Sequence, residues 1–164
     1  MLYERYSVPV FNTICRLVNY QVAEAEDLLQ ESFVTVFSNM ERLKEVDSFE
    51  AWTKRVAINK TISFLRKRKV YFMEIGETEQ AQLTDEDEED VEWKESKLEE
   101  IERAIGDLPE TSRAIVNLYL FEGLPQEEIG KLLGMSHTAV RSQYHRAKNR
   151  IAVQLKKEMS NEER

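Results

Sequence analysis

The first 69 residues carry apolar side chains at intervals of three and four, which is the spacing of one face of an α-helix. This pattern predicts three helices. The first has an apolar stripe at Phe11, Ile14, Cys15, Val18 and Val22. Because Cys15 lies within that stripe, we interpret its thiol as a small buried hydrophobic group and not as a redox centre.

The second helix is predicted from about Ala23 to Met40 and the third from Phe49 to about Lys69. Arg42 to Asp47 form a short break between them, and Asp47 or Ser48 can cap the third helix by accepting free N–H groups. The apolar side chains of the second helix share one face: Leu29, Phe33, Val36, Phe37 and Met40.

The apolar stripe of the third helix changes face halfway along. Trp52 and Val56 share one line, and Ile58, Ile62 and Leu65 form another. Polar side chains continue the Trp52 line as a ridge: Asn59, Ser63, Arg66 and Lys67.

Helical spacing returns at Leu98 and predicts four more helices. The first opens its apolar stripe at Leu98 and ends at Pro109, and the second holds Phe121 and ends near Gly123. The third begins at Pro125, a residue suited to a first helical turn, and runs to Leu133.

The last two predicted helices have the form of a helix-turn-helix. Gly134 permits a sharp turn, Met135 points inward, and Ser136 can cap the final helix. Apolar residues hold the pair together and continue along the final helix: Ile129, Leu133, Met135, Val140, Tyr144 and Ile151.

Residues 70–97 lose the helical pattern and include six consecutive acids, Asp85 to Asp90. Such runs repel themselves and stay solvated, so we predict a flexible linker. The chain has a net charge of −8, with 23 Lys and Arg against 31 Asp and Glu. About −9 belongs to residues 70–97, so the flanking segments are near neutral.

The remaining composition narrows the class of protein. A length of 164 residues suits one medium domain or two small ones. No apolar run approaches the roughly 20 residues that span a bilayer, and the N-terminus lacks the pattern of a signal peptide. The single cysteine permits no internal disulfide. These features together favour the cytoplasm.

Two stretches are basic and free of acids. Lys54 to Lys69 contains seven basic residues, and Ser136 to Lys157 contains six. Lys and Arg bind DNA phosphates, and Arg can read guanine with two hydrogen bonds. The helix-turn-helix with a basic final helix therefore predicts DNA binding, although either stretch could also be an ordinary solvated face.

The sequence offers no catalytic or metal-binding constellation. His137 and His145 are eight residues apart on one helix, about 12 Å, which is too far for joint metal ligation. No glycine loop cradles phosphate, and the acidic run lacks the glycine and spacing of a calcium loop. We predict no cofactor, no metal and no enzymatic activity.

Four motifs stand in the order and spacing of a known family. Asp27-Leu-Leu-Gln-Glu-Ser-Phe33 comes first, and Phe49-Glu-Ala-Trp-Thr-Lys-Arg-Val-Ala-Ile-Asn59 second. Leu108-Pro109 to Ile129 is third, and Thr138-Ala-Val-Arg-Ser142 with His145-Arg-Ala-Lys148 is fourth. They resemble bacterial RNA polymerase sigma factors of the extracytoplasmic-function (ECF) type, in the sigma-70 family.

The resemblance implies an all-α fold of two small helical domains on a flexible acidic linker. Residues 1–69 would bind core RNA polymerase and recognise and melt the −10 promoter element. Residues 70–97 would be the linker, and residues 98–164 would read the −35 element through the helix-turn-helix. It also implies an inhibitory anti-sigma partner. The lack of a long apolar run predicts no insertion into a membrane.

The resemblance assigns residues to each contact. Polymerase contacts fall on Asp27, Gln30 and Glu31. The −10 contacts fall on Asn59, Lys60, Ser63, Arg66 and Lys67. The −35 contacts fall on Thr138, Arg141, Ser142, His145 and Arg146. The loop Leu43–Ser48 is similar in place to the loop that receives a flipped base.

The chain departs from the family's usual residues at four positions. Thr53 stands in place of a common Leu, Ser63 in place of Asp or Asn, and Gln143 in place of Arg. Gly130 replaces a common Ala, so we expect a looser helix there.

Three other functions remain open on the sequence. A stand-alone helix-turn-helix regulator would bind operator DNA without polymerase, and the Asp27–Phe33 motif argues against it. A small helical enzyme lacks the residues it would need. A sigma-like protein without promoter activity would act as a competitor for polymerase.

Overall fold

A computed structural model describes residues 1–45, 47–68 and 98–162, which fold into helices. Contacts divide the chain into two compact units, Met1–Val70 and Tyr71–Arg164. The predicted all-α fold class is confirmed. The predicted linker, residues 70–97, lies outside the described residues.

Three helices form the first unit: α1 (Leu2–Leu17), α2 (Val22–Ser38) and α3 (Phe49–Arg68). Each helix packs against the other two. Asn19 and Tyr20 join α1 to α2 with φ of 54° and 59°, and the Tyr20 N–H donates to the Cys15 carbonyl at 2.7 Å. Cys15 is buried, as predicted.

Two stripe positions of the first unit differ from the prediction. Val22 is the first residue of α2 and is 54% exposed, because α1 ends at Leu17 and the turn at Asn19–Tyr20 breaks the register. Phe37 is 44% exposed, although its ring lies 5.7 Å from the ring of Phe33 between centroids.

The segment before α3, predicted as an irregular break from Arg42 to Asp47, is partly helical in the structure. Met40–Glu45 forms a 3-10 helix that follows α2 almost directly. Ser48 supplies the cap of α3, because its Oγ accepts the Ala51 N–H at 3.3 Å.

The described part of the second unit, residues 98–162, contains four helices: α4 (Leu98–Gly106), α5 (Glu110–Leu120), α6 (Gln126–Leu133) and α7 (His137–Glu162). The long α7 packs against α4, α5 and α6. Val140, Tyr144 and Ile151 are buried, as predicted. Leu98 is 60% exposed, so the apolar stripe of α4 begins one turn later than predicted.

The turn between α6 and α7 follows the predicted chemistry. Gly134 has φ of 68°, a left-handed conformation that glycine adopts without steric cost. The Met135 N–H donates to the Gly130 carbonyl at 2.9 Å, and Ser136 Oγ accepts the Ala139 N–H at 3.1 Å. Pro125 is the residue before α6 and not its first residue.

Gly130 corrects an expectation. A Cβ at this position would lie 2.7 Å from the Met135 carbonyl oxygen, closer than Cβ atoms come to other atoms. The glycine is therefore required by this close approach, whatever it costs in helix propensity. It lets the turn after α6 fold back onto the helix.

Candidate nucleic-acid interface

The polar ridge of α3 lies on the outside of the first unit. Asn59, Ser63, Arg66 and Lys67 are exposed, and Lys60 is half-buried beside them. The opposite face of α3 is buried at Ile58, Ile62 and Leu65 and anchors the helix against α1 and α2. The predicted −10 residues are thus together on an accessible surface.

Two of the seven basic residues at Lys54–Lys69 have acidic partners within the unit. Lys54 Nζ lies 3.3 Å from Glu50 Oε1, one turn earlier on α3. Arg68 forms an ion pair with Glu24 of α2. Arg66 and Lys67 form no ion pair within the described residues, so their charge remains available to phosphate.

The predicted polymerase contacts lie on the exposed side of α2. Asp27, Gln30 and Glu31 are all exposed, whereas Leu28 and Leu29 are buried beneath them. This places two carboxylates and an amide on one accessible helix face.

A groove that the sequence did not predict adjoins this α2 face. It has a volume of about 400 Å³ and is lined by residues of α1 and α2: Tyr3, Ser7, Val8, Phe11, Glu26, Leu29 and Gln30. Val8 is 63% exposed and Tyr3 is 41% exposed. Tyr3 and Val8 precede Phe11, where the predicted apolar stripe of the first helix begins. Apolar side chains outside the stripe were the sequence feature that could have indicated this surface.

The start of α7 presents the predicted −35 residues unequally. Thr138 and Arg141 are exposed, and His145 and Arg146 are half-buried. Ser142 is 8% exposed, so its side chain has little surface to offer a base.

Aromatic packing holds the middle of α7 in place. The Tyr144 ring meets Tyr119 of α5 edge-on, with centroids 4.7 Å apart, and lies 5.9 Å from the ring of His145. Burial raises the pKa of Tyr144, and the nearby Tyr119 raises it further. The contact with α5 thus fixes the helical turn that carries His145 and Arg146.

Gln143 stands where the family commonly has Arg, and it is 8% exposed. A neutral amide is compatible with that burial, whereas a guanidinium there would need a charged partner. The residue that departs from the family pattern at position 143 is therefore part of the buried core of the second unit.

The distal part of α7 carries further basic residues. Arg150, Lys156 and Lys157 are exposed. Gln154 Nε2 donates a hydrogen bond to Asp107 Oδ2 at 2.9 Å, which connects this part of α7 to the end of α4. Arg150 lies nine residues beyond Arg141, about 13 Å along the axis. Nine residues are two and a half helical turns, so Arg150 lies on the side of α7 opposite Arg141, apart from that reading residue.

The described ranges contain no group of three His, Cys, Asp or Glu side chains that could hold a metal ion. Within these ranges no helix is long and apolar enough to cross a membrane.

Two family models match the chain. Sigma-70 region 2 matches residues 2–70, and sigma-70 region 4 matches residues 98–151. The chain belongs to the sigma-70 family of RNA polymerase sigma factors.

Curated relatives support this membership. The chain is 33% identical over 139 residues to "ECF RNA polymerase sigma factor SigE" of Mycolicibacterium smegmatis, covering 84% of this chain and 54% of that protein. It is 29% identical over 135 residues to "RNA polymerase sigma factor SigV" of Bacillus subtilis, covering 82% of this chain and 78% of that protein. The chain thus spans about half the length of the SigE relative.

A solved structure has a similar fold. The sigma factor RpoE of Bartonella quintana, crystallised with the anti-sigma factor NepR, matches with a TM-score of 0.59 over 94% of each chain at 19% identity. At this identity the match supports the fold alone.

These comparisons confirm the predicted class, an ECF-type sigma factor acting in transcription initiation, over the stand-alone helix-turn-helix regulator. Members of this family are initiation factors and not enzymes.

Proposed function

We propose that this chain docks on core RNA polymerase through the α2 face of Asp27, Gln30 and Glu31 and directs it to promoters with two recognition elements. Residues 1–69 bind polymerase and open the −10 element, and residues 98–164 read the −35 element. Residues 70–97 connect the two in sequence. Action on polymerase also implies that the protein works in the cytoplasm.

The observation that carries this proposal is the separation of surfaces within the first unit. The acidic and amide side chains of α2 and the ridge of α3 are both exposed, and both helices share one buried core. The first unit can therefore contact an acid-binding protein surface and DNA at the same time.

At the −10 element, the ridge Asn59, Lys60, Ser63, Arg66 and Lys67 contacts the strand while the segment Leu43–Ser48 receives a flipped base. Unstacking a base costs a few kcal/mol, which contacts in the protein offset. At the −35 element, the first turns of α7 enter the major groove. Arg141, His145 and Arg146 face bases or phosphates there, and Thr138 lies near phosphate.

Tethering the two units strengthens both contacts. Once one element is bound, the other unit acts at the effective concentration set by the linker, so each contact can be weak alone. Opposing this, an anti-sigma partner like the one bound to RpoE of Bartonella quintana would hold the chain inactive by covering these surfaces.

Run-off transcription with purified core polymerase tests the −35 assignment. Arg141→Ala with Arg146→Ala should reduce transcript by about 30-fold or more, since each such contact contributes roughly 1–3 kcal/mol. Core binding should persist. The matched control, Arg150→Ala with Lys157→Ala, removes the same charge from the distal part of α7 and should retain most of the activity. Equal loss in both pairs would refute the assignment.

Co-purification with core polymerase tests the docking face. Gln30→Ala with Glu31→Lys should weaken binding, because it removes a hydrogen-bonding group and reverses a charge. Glu41→Lys makes the same charge reversal at an exposed position of the 3-10 helix and should bind normally. Unchanged binding by the α2 variant would contradict the docking assignment.

A further inference from the structure

The guanidinium of Arg68 contacts the start of α2, although Arg68 belongs to the basic run at the end of α3. Its Nη2 forms an ion pair with Glu24 Oε1, and its Nη1 donates a hydrogen bond to Gln21 Oε1 at 2.9 Å. Its carbon Cζ also lies 5.0 Å from the centroid of the Phe64 ring, within cation–π range. Three separate contacts thus hold one side chain.

Two of these contacts, those with Gln21 and Glu24, lie at the N-terminal end of α2, next to the proposed docking face. Gln21 precedes the first residue of α2, and Glu24 lies in its first turn. Asp27 and Glu31 follow Glu24 by three and seven residues, so all three lie along one side of the helix. Glu24 is only about 4.5 Å along the axis from Asp27.

The Glu24 carboxylate depends on Arg68. Its side chain is 25% exposed, and its second oxygen, Oε2, is buried without a hydrogen-bond partner in the described part of the chain. Removing the guanidinium would leave a partly buried carboxylate without this ion pair and weaken the contact between the end of α3 and the start of α2.

Arg66 and Lys67 immediately precede Arg68 on the last turn of α3. Both are exposed and are −10 residues of the proposed function. The position of this turn relative to α2 therefore determines where their charges lie relative to a polymerase docked on α2.

We propose that Arg68 is a positioning residue: with Glu24 and Gln21 it fixes the last turn of α3 against α2, so that Arg66 and Lys67 meet promoter DNA in register with docked polymerase. This inference rests on the proposed function. It also removes Arg68 from the residues that bind DNA phosphate, which its place in the basic run would otherwise suggest.

A charge exchange tests the pair in reconstituted holoenzyme, with core saturated by the sigma factor so that docking affinity does not limit the result. Arg68→Glu and Glu24→Arg should each reduce the rate of promoter opening by about tenfold. The double variant E24R/R68E restores the pair with reversed polarity and should recover to within about threefold of wild type. A double variant no better than the worse single variant would overturn the proposal.

A matched exchange separates this effect from general sensitivity to charge. E50K/K54E reverses a second ion pair of α3, whose two partners are one turn apart on the same helix. Its single variants should open promoters at close to the wild-type rate. If Glu50→Lys and Lys54→Glu are as harmful as the Arg68 and Glu24 variants, the link between α2 and α3 is not what matters.

Salt dependence separates positioning from direct contact. Loss of one phosphate contact lowers the slope of log affinity against log salt by about 0.7–0.9. The charge-exchanged variant E24R/R68E should keep this slope at the wild-type value, because Arg66 and Lys67 are again in register although position 68 is acidic. A slope lowered by one contact would identify Arg68 as a DNA ligand and overturn the proposal.

The conservative variants Arg68→Lys and Glu24→Gln keep the inference testable if a reversed charge prevents folding. Lysine retains the ion pair and loses the hydrogen bond to Gln21, so an intermediate reduction is expected. Full loss in Arg68→Lys together with normal opening in Glu24→Gln would overturn the proposal. Wild-type protein that fails to support promoter-specific initiation would instead refute the proposed function itself.

Discussion

Gly130→Ala should destabilise the helix-turn-helix, although alanine normally strengthens a helix. The added methyl carbon would lie 2.7 Å from the Met135 carbonyl oxygen and 3.6 Å from Val140 Cγ2, whereas ordinary contact begins at 3.4 Å. The neighbour is main chain in a tight turn, and the Met135 N–H is bound to the Gly130 carbonyl at 2.9 Å. The turn cannot retreat without disturbing this hydrogen bond.

Two opposing terms set the magnitude. Replacing a helical glycine by alanine gains about 1 kcal/mol. Overpacking costs roughly 1–3 kcal/mol, and the rigid neighbour places this site in the upper part of that range. We expect a net loss of about 1–2 kcal/mol, with α7 displaced at its first turns.

Hydrogen exchange of the full chain measures this loss locally. Peptides covering residues 126–147 should exchange about five- to thirtyfold faster in Gly130→Ala, corresponding to 1–2 kcal/mol. Affinity for −35 DNA should fall in parallel. Lys131→Ala changes the next, exposed residue of α6 and serves as the control. Slower exchange in Gly130→Ala would show that propensity outweighs the close approach and would refute the reasoning.

Further predictions address the two cores. Burial raises the pKa of the Cys15 thiol, so at pH 8 native protein should react with a thiol reagent far more slowly than urea-unfolded protein; equal rates would contradict its burial. The raised pKa of Tyr144 favours the neutral phenol in the folded state, so its stabilising contribution is present below about pH 10 and lost as pH rises further. Tyr144→Phe should reduce the absorbance change at 295 nm in the alkaline part of a titration above about pH 10, and an unchanged titration would refute this. Leu155 is 5% exposed and lies beyond the segment matched by region 4. Leu155→Ala should destabilise the second unit by about 2–4 kcal/mol, measured by hydrogen exchange. Val153 is 53% exposed, so the control Val153→Ala should change the stability little.

Local chemistry in the sequence was enough to predict the helices and several of their ends. The glycine at position 134 and the serines at 48 and 136 act through contacts within three or four residues, so their roles follow from the local sequence. The break before α3 was predicted wrongly, because a 3-10 helix of six residues is too short to show a hydrophobic period.

The candidate residues were found from motif order, and their accessibility depended on packing. Asp27 and Arg141 are exposed as their roles require, but Ser142 is buried although it stands beside Arg141 in the same motif. A helix in contact with three others buries more than one stripe, and the sequence period alone cannot show how many neighbours surround it.

The sequence by itself determined the class of this protein: two helical units, an acid-free basic stretch in each, and an acidic segment that accounts for the net charge of −8. Only the tertiary structure decided which charges are available and which residues tolerate no change. Arg68 is engaged with Glu24 across 44 positions of sequence, and Gly130 is required by a carbonyl in the turn after its own helix. Charge and helical period are local properties of the chain, whereas ion pairs and close approaches depend on how the helices are packed together.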